Sequence, residues 1–284
     1  MKQKQWMFTL ITVFFWASAS VLIRLTYESI SPVNTAVARS WIGAFILITV
    51  CLIKRVPLPA KRDLPLFILA GVIGFALYSI CFNSGFMFLT AATGNVILAI
   101  IPVFTAVIAR FVFKERIRPL GWFFTCVSFS GILILILWNG VLSINRGVFW
   151  ILAAAILNGS YSLVQRQLTR RYTALQSSAY SIIAGAIVLA PLIPSTIREL
   201  TSASSVAVAT VIYIGIFSSG VGYLFWSKAL SIAKRTAEVT NFLYLPPFIA
   251  TLLAYVVFKE LPDWGTAIGG VVIMLGLLLF QKKA

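Results

Sequence analysis

The chain has 284 residues, of which 60% are hydrophobic and 11% are charged, and its mean hydropathy is +0.99. A water-soluble domain of this length cannot bury so much apolar surface in one core, so the composition excludes an ordinary soluble protein and indicates a polytopic membrane protein. A net charge of +16 would also suit a nucleic-acid-binding protein, but most of the basic residues flank apolar segments, and we expect no nucleic-acid partner.

Ten apolar segments are long enough to cross a bilayer, since a helix needs about 20 mainly apolar residues to span roughly 30 Å of hydrocarbon. The connections between them are short, which excludes a soluble catalytic or regulatory domain. The segments, numbered as spans 1 to 10, are residues 7–26, 34–53, 64–84, 92–112, 118–138, 147–166, 175–194, 205–229, 236–257 and 263–280. We therefore expect an all-α membrane fold of ten transmembrane helices.

The first span raises the question of a cleaved leader. Two lysines precede it, and the tripeptide at residues 17–19 is similar to a signal-peptidase site. Hydrophobicity continues through Ile23, however, and residues between Ser18 and Arg24 have counterparts in the second half of the chain. We therefore keep this segment as a span of the folded protein.

A duplicated motif relates the two halves. At an offset of 145 residues, Ala92, Pro102, Phe113, Lys114 and Glu115 match Ala237, Pro247, Phe258, Lys259 and Glu260. At an offset of 142, Ser18, Ser20, Arg24 and Gly43 match Ser160, Ser162, Arg166 and Gly185. The duplication predicts two repeats, residues 1–140 and 141–284, with five helices each. Because five is odd, the second repeat is expected to be inverted relative to the first.

The basic residues predict the orientation. Four of the 23 lysines and arginines fall on one side of the spans, two fall within spans, and the rest lie on the other side. The four are Arg24, Arg146, Arg198 and Lys259, and the two are Arg39 and Arg110. By the positive-inside rule, we expect both chain ends in the cytoplasm and a multi-pass protein of the cytoplasmic (inner) membrane of a prokaryote.

Polar and aromatic residues within the spans are candidates for substrate binding, because polar groups are rare in hydrocarbon and need a reason to be there. In the first half they are Trp16 and Ser18 in span 1, Tyr78 in span 3 and Asn95 in span 4. In the second half they are Ser160 and Tyr161 in span 6, Ser219 and Tyr223 in span 8, and Asn241 and Tyr244 in span 9. Aromatic and hydroxyl groups could hold a flat or cationic part of a ligand, although aromatic residues at helical spacing also occur in ordinary packing.

Prolines interrupt spans 4 and 9. Pro102, Pro246 and Pro247 each remove a backbone donor and free a carbonyl about one turn earlier, beside Asn95 and Asn241. Broken helices of this kind form binding sites in membrane carriers, so we interpret the prolines as hinges. Simple bending around neighbouring helices is the alternative.

Two kinds of acidic residue need separate interpretations. Glu238 lies in the first turn of span 9, where it could take up a proton or attract a cation, and where an acid also complements the helix dipole. Glu115 and Glu260 each adjoin a lysine, and we expect them to form ion pairs at the membrane interface.

Catalysis and disulfide chemistry find little support. Cys51, Cys81 and Cys126 all fall in spans and are expected to pack there without forming disulfides. Histidine is absent, and no acid, base or metal-binding groups cluster at mid-membrane, so we predict no enzyme, no catalytic residue, no metal and no cofactor. Gly265 and Gly269 form a small-xxx-small step in span 10, which suits either a dimer seam or packing within the chain, and we expect a monomer or a weak dimer.

As a set, Trp16, Ala17, Ser18, Arg39 and the paired Ala, Pro and Glu positions resemble the drug/metabolite transporter superfamily, in particular its ten-helix EamA-type members. The resemblance covers essentially the whole chain. It implies a basket in which spans 3, 4, 8 and 9 surround a cavity, spans 1, 2, 6 and 7 rock to gate it, and spans 5 and 10 are peripheral. It also implies that Arg39 is part of a structural pair or anchors its helix.

The resemblance further implies a secondary transporter that moves a small polar or amphipathic metabolite, with export of an amino acid or a related compound as the first expectation. The alternative is a proton-coupled, polyspecific transporter of drugs or quaternary amines. Small multidrug relatives use a glutamate in their first helix, and span 1 has none, which disfavours the alternative. The expected partners are a small-molecule substrate and the lipid bilayer, and we expect Asn95→Leu or Asn241→Leu to weaken transport strongly.

Overall fold

The computed structural model describes residues 2–113, 119–138, 145–233 and 236–283, and every regular element within these ranges is helical. The helices follow one another as ten rods, several of which are interrupted. The rods are α1 (Lys2–Leu22), α2 (Pro32–Ile53), α3 (Leu64–Gly71 and Tyr78–Phe86, joined by a π turn at Val72–Leu77), α4 (Ala91–Leu98 and Ile101–Phe113), α5 (Pro119–Leu137), α6 (Arg146–Leu168), α7 (Ala174–Val188 and Ile193–Ser202), α8 (Ser205–Tyr213 and Tyr223–Ile232, joined by a π turn at Ile214–Gly222), α9 (Ala237–Thr240 and Pro246–Phe258) and α10 (Trp264–Lys283).

Several rods can cross a bilayer by length and composition. Six described helical segments are long and apolar enough, and a seventh qualifies if the two parts of α7, which meet at 54°, count as one span. The apolar helical segments of α4 and α10 are shorter than this length requirement and comprise Ala91–Thr105 and Trp264–Gly276. These findings confirm an all-helical membrane fold for the described chain, and the arrangement of ten transmembrane helices in two inverted repeats stays a prediction.

Side-chain caps set several helix ends. The Ser31 side chain accepts a hydrogen bond from the Asn34 backbone N–H, and Pro32 occupies the first turn of α2, where its missing N–H costs nothing. At the start of α7, Thr173 and Gln176 form a reciprocal capping box. These local signals explain why α2 and α7 begin where they do.

The interruptions of α4 and α9 lie where the prolines predict them. The first part of α4 ends at Leu98, and the second part contains Pro102 in its first turn. In α9, a 3-10 turn at Asn241–Tyr244 precedes the helix that begins with Pro246 and Pro247. The role of these prolines as hinges stays a prediction.

The interior is formed by contacts between rods of the two halves. Rod α1 packs on α8 and α9, and α2 packs on α7 and α8. Rod α3 packs on α6 and α7, α4 packs on α6 and α9, and α5 packs on α10. Since α1 contacts two rods of the second half, it is an integral part of the folded body.

Polar contacts between the start of α3 and the loop that joins α6 to α7 connect the two halves. Arg171 Nη1 donates to Asp63 Oδ1 at 2.9 Å, and the Tyr172 hydroxyl donates to Asp63 Oδ2 at 2.6 Å. The hydrogen bond to Asp63 raises the pKa of the Tyr172 phenol, because ionisation would remove the donated proton. These contacts join the halves on the side that the charge distribution assigns to the cytoplasm.

Rod α5 packs against the small-xxx-small motif of α10, Gly265 and Gly269. A Cβ atom added to Gly265 would lie 2.5 Å from Trp138, and one added to Gly131 would lie 2.7 Å from the Gly269 carbonyl oxygen. The small residues therefore allow close packing within the chain, which favours this alternative over a dimer seam.

The cysteines differ from one another in environment. Cys51 and Cys81 are buried, as expected for packing residues, and both are free thiols. Cys126 is also free but is exposed on α5, so the expectation that it packs inside was wrong. Position in an apolar segment does not decide which face of the helix a residue occupies.

Candidate functional site

A buried arginine lies where α2, α3 and α8 meet. Arg39 is 2% exposed, and its Nε donates to Ser219 Oγ at 3.0 Å while its Nη2 donates to Ser218 Oγ at 2.9 Å. Nη1 donates to Asn83 Oδ1 over 3.4 Å, and the guanidinium lies 5.6 Å from the centre of the Phe82 ring. The arginine does connect helices, but through neutral groups, so within the described chain it is not half of an ion pair.

Asn83 extends this polar cluster in two directions. Its Nδ2 donates to the Pro32 carbonyl oxygen at 3.1 Å, and its own carbonyl oxygen accepts from the Tyr27 hydroxyl at 2.8 Å. Because Asn83 is fully buried, these bonds satisfy groups that would be costly to leave unpaired. The cluster thus connects the end of α1, the start of α2 and α3.

An aromatic cluster adjoins the arginine. The Tyr223 ring lies 5.0 Å from Trp16, 5.5 Å from Tyr161 and 4.4 Å from Phe75, measured between ring centres. Trp16 also lies 4.9 Å from Trp226. The rings come from α1, α3, α6 and α8, so both halves contribute to one apolar surface with polar tips.

The polar tips of this cluster are satisfied to different degrees. The Tyr223 hydroxyl donates to the Gly74 carbonyl oxygen at 3.2 Å, and Trp16 Nε1 donates to the Ser218 carbonyl oxygen at 3.3 Å. Trp226 Nε1 is buried and has no hydrogen-bond acceptor in the described part of the chain. A buried indole N–H of this kind is available to a polar group of a bound ligand.

The other predicted residues near the cluster are Ser18, Tyr78 and Ser219. Ser219 binds Arg39 directly, and Tyr78 is buried with its ring 5.5 Å from that of Phe82. Ser18 forms a hydrogen bond of 2.9 Å with the Tyr213 hydroxyl of α8. The structure therefore brings together Trp16, Tyr78, Tyr161, Ser219 and Tyr223 from the sequence-predicted set, whereas Ser18 bonds to Tyr213, which is not part of the cluster.

The remaining predicted residues lie elsewhere. Asn95 is buried, and its Nδ2 donates to Ser20 Oγ at 2.6 Å and to the Ala91 carbonyl oxygen at 2.8 Å, which places it between α4 and α1. Ser160 is partly exposed and donates to the Ile156 carbonyl oxygen of its own helix. The hydrogen bonds of Asn95 and Ser160 do not reach the Arg39 cluster.

The predicted residues of α9 form a separate group. Tyr244, Pro246 and Pro247 are buried, whereas Asn241 and Glu238 are partly exposed. Rod α9 packs mainly on α1 and α4, whereas the hydrogen bonds of Arg39 in the described chain join α2 to α3 and α8. A coupling role for Glu238 stays a prediction.

A vestibule of about 680 Å³ opens at one end of the rods. Its lining includes Arg24, Tyr27, Glu28, Phe86 and Phe258. Tyr27 is thus at once a wall of the vestibule and a hydrogen-bond donor to Asn83. Tyr27 and Asn83 therefore connect this opening with the Arg39 guanidinium.

An ion pair on the vestibule wall differs from the expected one. Arg24 Nη1 donates to Glu260 Oε2, and the guanidinium stacks over the Phe258 ring at 4.8 Å. Glu260 therefore pairs with the end of α1 and not with the adjacent Lys259, whose ammonium lies over Tyr255. Glu115, its counterpart in the duplicated motif, lies outside the described residues.

Of the residues that complete the arginine cluster, sequence reasoning missed Tyr27, whereas Asn83, Ser218 and Trp226 carry the polar or aromatic signal inside spans 3 and 8. Tyr27 follows the apolar part of span 1, Asn83 and Ser218 are polar residues inside spans, and Trp226 is one of several tryptophans. Polarity within a span was the available signal for Asn83 and Ser218. No group of three metal-ligating side chains occurs among the residues that the structure describes.

Comparison with protein families decides the class of the chain. The profile of the EamA-like transporter family matches residues 4–137 and again residues 145–281. The chain belongs to the EamA-like transporter family. This membership confirms the resemblance to the drug/metabolite transporter superfamily, and the chain is accordingly a membrane transporter by family.

Relatives of this EamA-like transporter are themselves named as transporters. A "Probable terminal-alkyne amino-acid exporter" of Streptantibioticus cattleyicolor is 29% identical over 96% of this chain and 92% of its own length. An "S-adenosylmethionine uptake transporter" of Rickettsia prowazekii is 30% identical over 68% of this chain and 64% of its own length. A solved crystal structure with 16% identity superposes with a TM-score of 0.68 over 99% of this chain and 98% of that one, which supports the fold alone.

Proposed function

We propose that this EamA-like chain is a secondary transporter that exports a small polar or amphipathic metabolite, an amino acid or a related compound, across the cytoplasmic membrane by alternating access. The observation that carries the proposal is the buried cluster of Arg39, hydroxyl groups and aromatic rings at the junction of the two halves. Polar groups in hydrocarbon are costly and usually mark a functional site, and this cluster is suited to bind a solute.

We further propose that residues 1–140 and 141–284 form two inverted five-helix repeats. The contacts between rods support this idea, because exchanging the halves converts the largest contacts between them into others that are present. The contact of α1 with α8 becomes that of α6 with α3, α1 with α9 becomes α6 with α4, and α2 with α8 becomes α7 with α3. The two separate matches to the family profile also support a duplication.

Inverted repeats supply a physical route to alternating access. If the halves exchange conformations, the vestibule closes at one end and an equivalent opening forms at the other. The prolines of α4 and α9 give two related rods a place to bend. The present conformation, with its vestibule beside Arg24 and Glu28, would then face the side that the charge distribution assigns to the exterior.

The substrate class and direction rest on one relative. The exporter from Streptantibioticus cattleyicolor matches almost the full length of both chains, and its name specifies an amino acid that leaves the cell. The relative from Rickettsia prowazekii is named an uptake transporter, so the names of the relatives imply different directions of transport. The longer match favours export.

The test is reconstitution of the full chain into proteoliposomes. Vesicles would be loaded with a panel of amino acids, nucleosides and quaternary ammonium ions, and efflux and counterflow would be measured with and without a pH gradient. We expect at least one amino acid to exchange. Empty liposomes are the control for leakage.

The possible results separate the candidate functions. Movement of no solute would contradict the transporter proposal, and proton-driven movement of quaternary ammonium ions alone would favour a polyspecific drug or amine transporter. The same vesicles would show, by the effect of the pH gradient, whether protons drive export.

A further inference from the structure

Arg39 carries a buried charge and has no acidic partner in the part of the chain that the structure describes. The residue is 2% exposed, and its hydrogen bonds go to the neutral side chains of Ser218, Ser219 and Asn83. Asp63 and Glu260 form their ion pairs with other arginines, Arg62, Arg171 and Arg24. Burying a charge without an opposite charge is strongly unfavourable, so this arrangement calls for an anion that is not part of the described chain.

The geometry indicates where such an anion would bind. Nε and Nη2 form the side-on edge of the guanidinium, which is the fork that receives both oxygens of a carboxylate. Here the fork holds Ser219 Oγ at 3.0 Å and Ser218 Oγ at 2.9 Å. Two hydroxyl oxygens from consecutive residues of the α8 π turn therefore occupy the positions of two carboxylate oxygens.

The remaining surroundings do not satisfy the charge. A guanidinium has five N–H groups, whereas the described contacts use one bond from each nitrogen, and the bond to Asn83 is long at 3.4 Å. Phe82 contributes its ring face. A carboxylate forms two hydrogen bonds with this edge of the guanidinium and also neutralises its charge, which the hydroxyls cannot do, so a carboxylate would displace them.

The position of the fork suits a solute that enters from the vestibule. Tyr27 lines the vestibule and binds the Asn83 backbone, and the Asn83 side chain contacts the guanidinium. Trp16 donates a hydrogen bond to the Ser218 carbonyl oxygen, and its ring packs against Tyr223 of the aromatic cluster. A solute with a carboxylate at one end and an apolar group at the other matches both parts.

We propose that Arg39 binds the carboxylate of the transported solute and that Ser218 and Ser219 hold the guanidinium in place while the site is empty. The substrates are then small acids or zwitterions with an apolar side chain, and neutral or purely cationic solutes are excluded. This assignment rests on the proposed function of the chain as a transporter.

The first test uses the unmodified protein and varies the solute. Proteoliposomes would be assayed for exchange of L-phenylalanine and L-norvaline, with competition by the matching carboxamides and by phenethylamine. We expect each carboxamide to compete at least about tenfold more weakly than its acid, because it cannot accept a charge-assisted bidentate pair. If acids and carboxamides exchange equally well, the carboxylate assignment fails while the transporter proposal stands. If no solute of any class moves, the proposed function fails and this assignment fails with it.

The second test varies the protein. Arg39→Gln should abolish the preference for acids over carboxamides, and Arg39→Lys should reduce it, because an ammonium keeps the positive charge but cannot form the bidentate pair. The matched control is Arg198→Gln, which removes an exposed positive charge from α7 and should leave the preference unchanged.

The measured preference separates binding from a merely structural role. If Arg39 only joins helices, its substitution would reduce exchange of acids and carboxamides by the same factor, and the assignment would be wrong. If Arg39→Gln does not fold, wild type is compared with Arg39→Lys: a smaller preference for acids in this variant supports the assignment, and a preference equal to that of wild type contradicts it.

Discussion

Ser18 and Ser160 are equivalent positions of the duplicated motif, yet their hydroxyls have different partners. Ser18 Oγ reaches the Tyr213 hydroxyl of another rod, whereas Ser160 Oγ bonds only within its own helix and is partly exposed. A hydrogen bond between rods can change when the rods move, and a bond within one helix cannot.

We therefore expect Ser18→Ala to slow exchange about fivefold, the effect of losing one hydrogen bond of about 1 kcal/mol. Ser160→Ala is the matched control and should retain the wild-type rate. Both would be measured as initial rates of counterflow in proteoliposomes at equal protein content. Equal losses in the two variants would show that the bond to Tyr213 has no special role.

Asn95 is a second residue whose prediction the structure sharpens. Asn95→Leu removes the bond to Ser20 Oγ and leaves that buried hydroxyl with fewer partners, so we expect exchange to fall at least tenfold. We also expect Asn241→Leu to weaken exchange, on the ground of its position in the 3-10 turn of α9.

The control for these two variants is Thr49→Leu. Thr49 is partly exposed on α2, and its hydroxyl donates to the Phe45 carbonyl oxygen of its own helix. Its replacement should leave exchange unchanged. Wild-type rates in both asparagine variants would remove α4 and α9 from the candidate site.

At the scale of helices, α3 and α7 cross at two glycines. A Cβ atom added to Gly185 would lie 2.6 Å from the Gly71 carbonyl oxygen, and one added to Gly71 would lie 2.5 Å from the Gly185 nitrogen. These neighbours are backbone atoms that cannot rotate away. The crossing therefore depends on the absence of side chains at both positions.

Gly185→Ala should consequently destabilise the folded protein, since overpacking typically costs about 1–3 kcal/mol. We expect a lower melting temperature in detergent, measured by thermal unfolding of the purified protein. Gly220→Ala is the control, because the nearest atom to its added Cβ lies 3.5 Å away, at ordinary contact distance. A melting temperature for Gly185→Ala equal to that of the control would mean that α3 and α7 can separate without cost.

At the scale of the whole molecule, the inverted repeat makes a prediction about sidedness. Glu28 follows α1 and Arg170 follows α6, so they are equivalent at the offset of 142 residues, and both are exposed. If the second repeat is inverted, they lie on opposite faces of the membrane.

Single cysteines at these positions test this arrangement. With the exposed Cys126 replaced, we expect Glu28→Cys to react with a membrane-impermeant maleimide added to intact cells and Arg170→Cys to react only after permeabilisation. The buried Cys51 and Cys81 should give little background. Labelling of both positions from the same side would contradict the inverted arrangement.

Part of the candidate site could be predicted from the sequence, and the limit has a physical cause. Trp16, Tyr161 and Tyr223 are polar-tipped aromatics inside apolar segments, and the structure places their rings together. Ser160 carries the same local signal, but its hydroxyl donates to the Ile156 carbonyl oxygen of its own helix. Local sequence cannot distinguish these cases, because the direction of a side chain depends on how its helix is rotated against its neighbours.

The sequence by itself determined the helical membrane fold, the breaks near Pro102 and Pro246, and the family of the chain, because apolar length, a missing backbone donor and a motif are properties of short segments. Only the tertiary structure decided that Arg39 lies against Ser218 and Ser219, without an acidic partner in the described chain. Those residues are about 180 positions apart, and the packing of α2 on α8, which depends on all the rods together, brings them into contact.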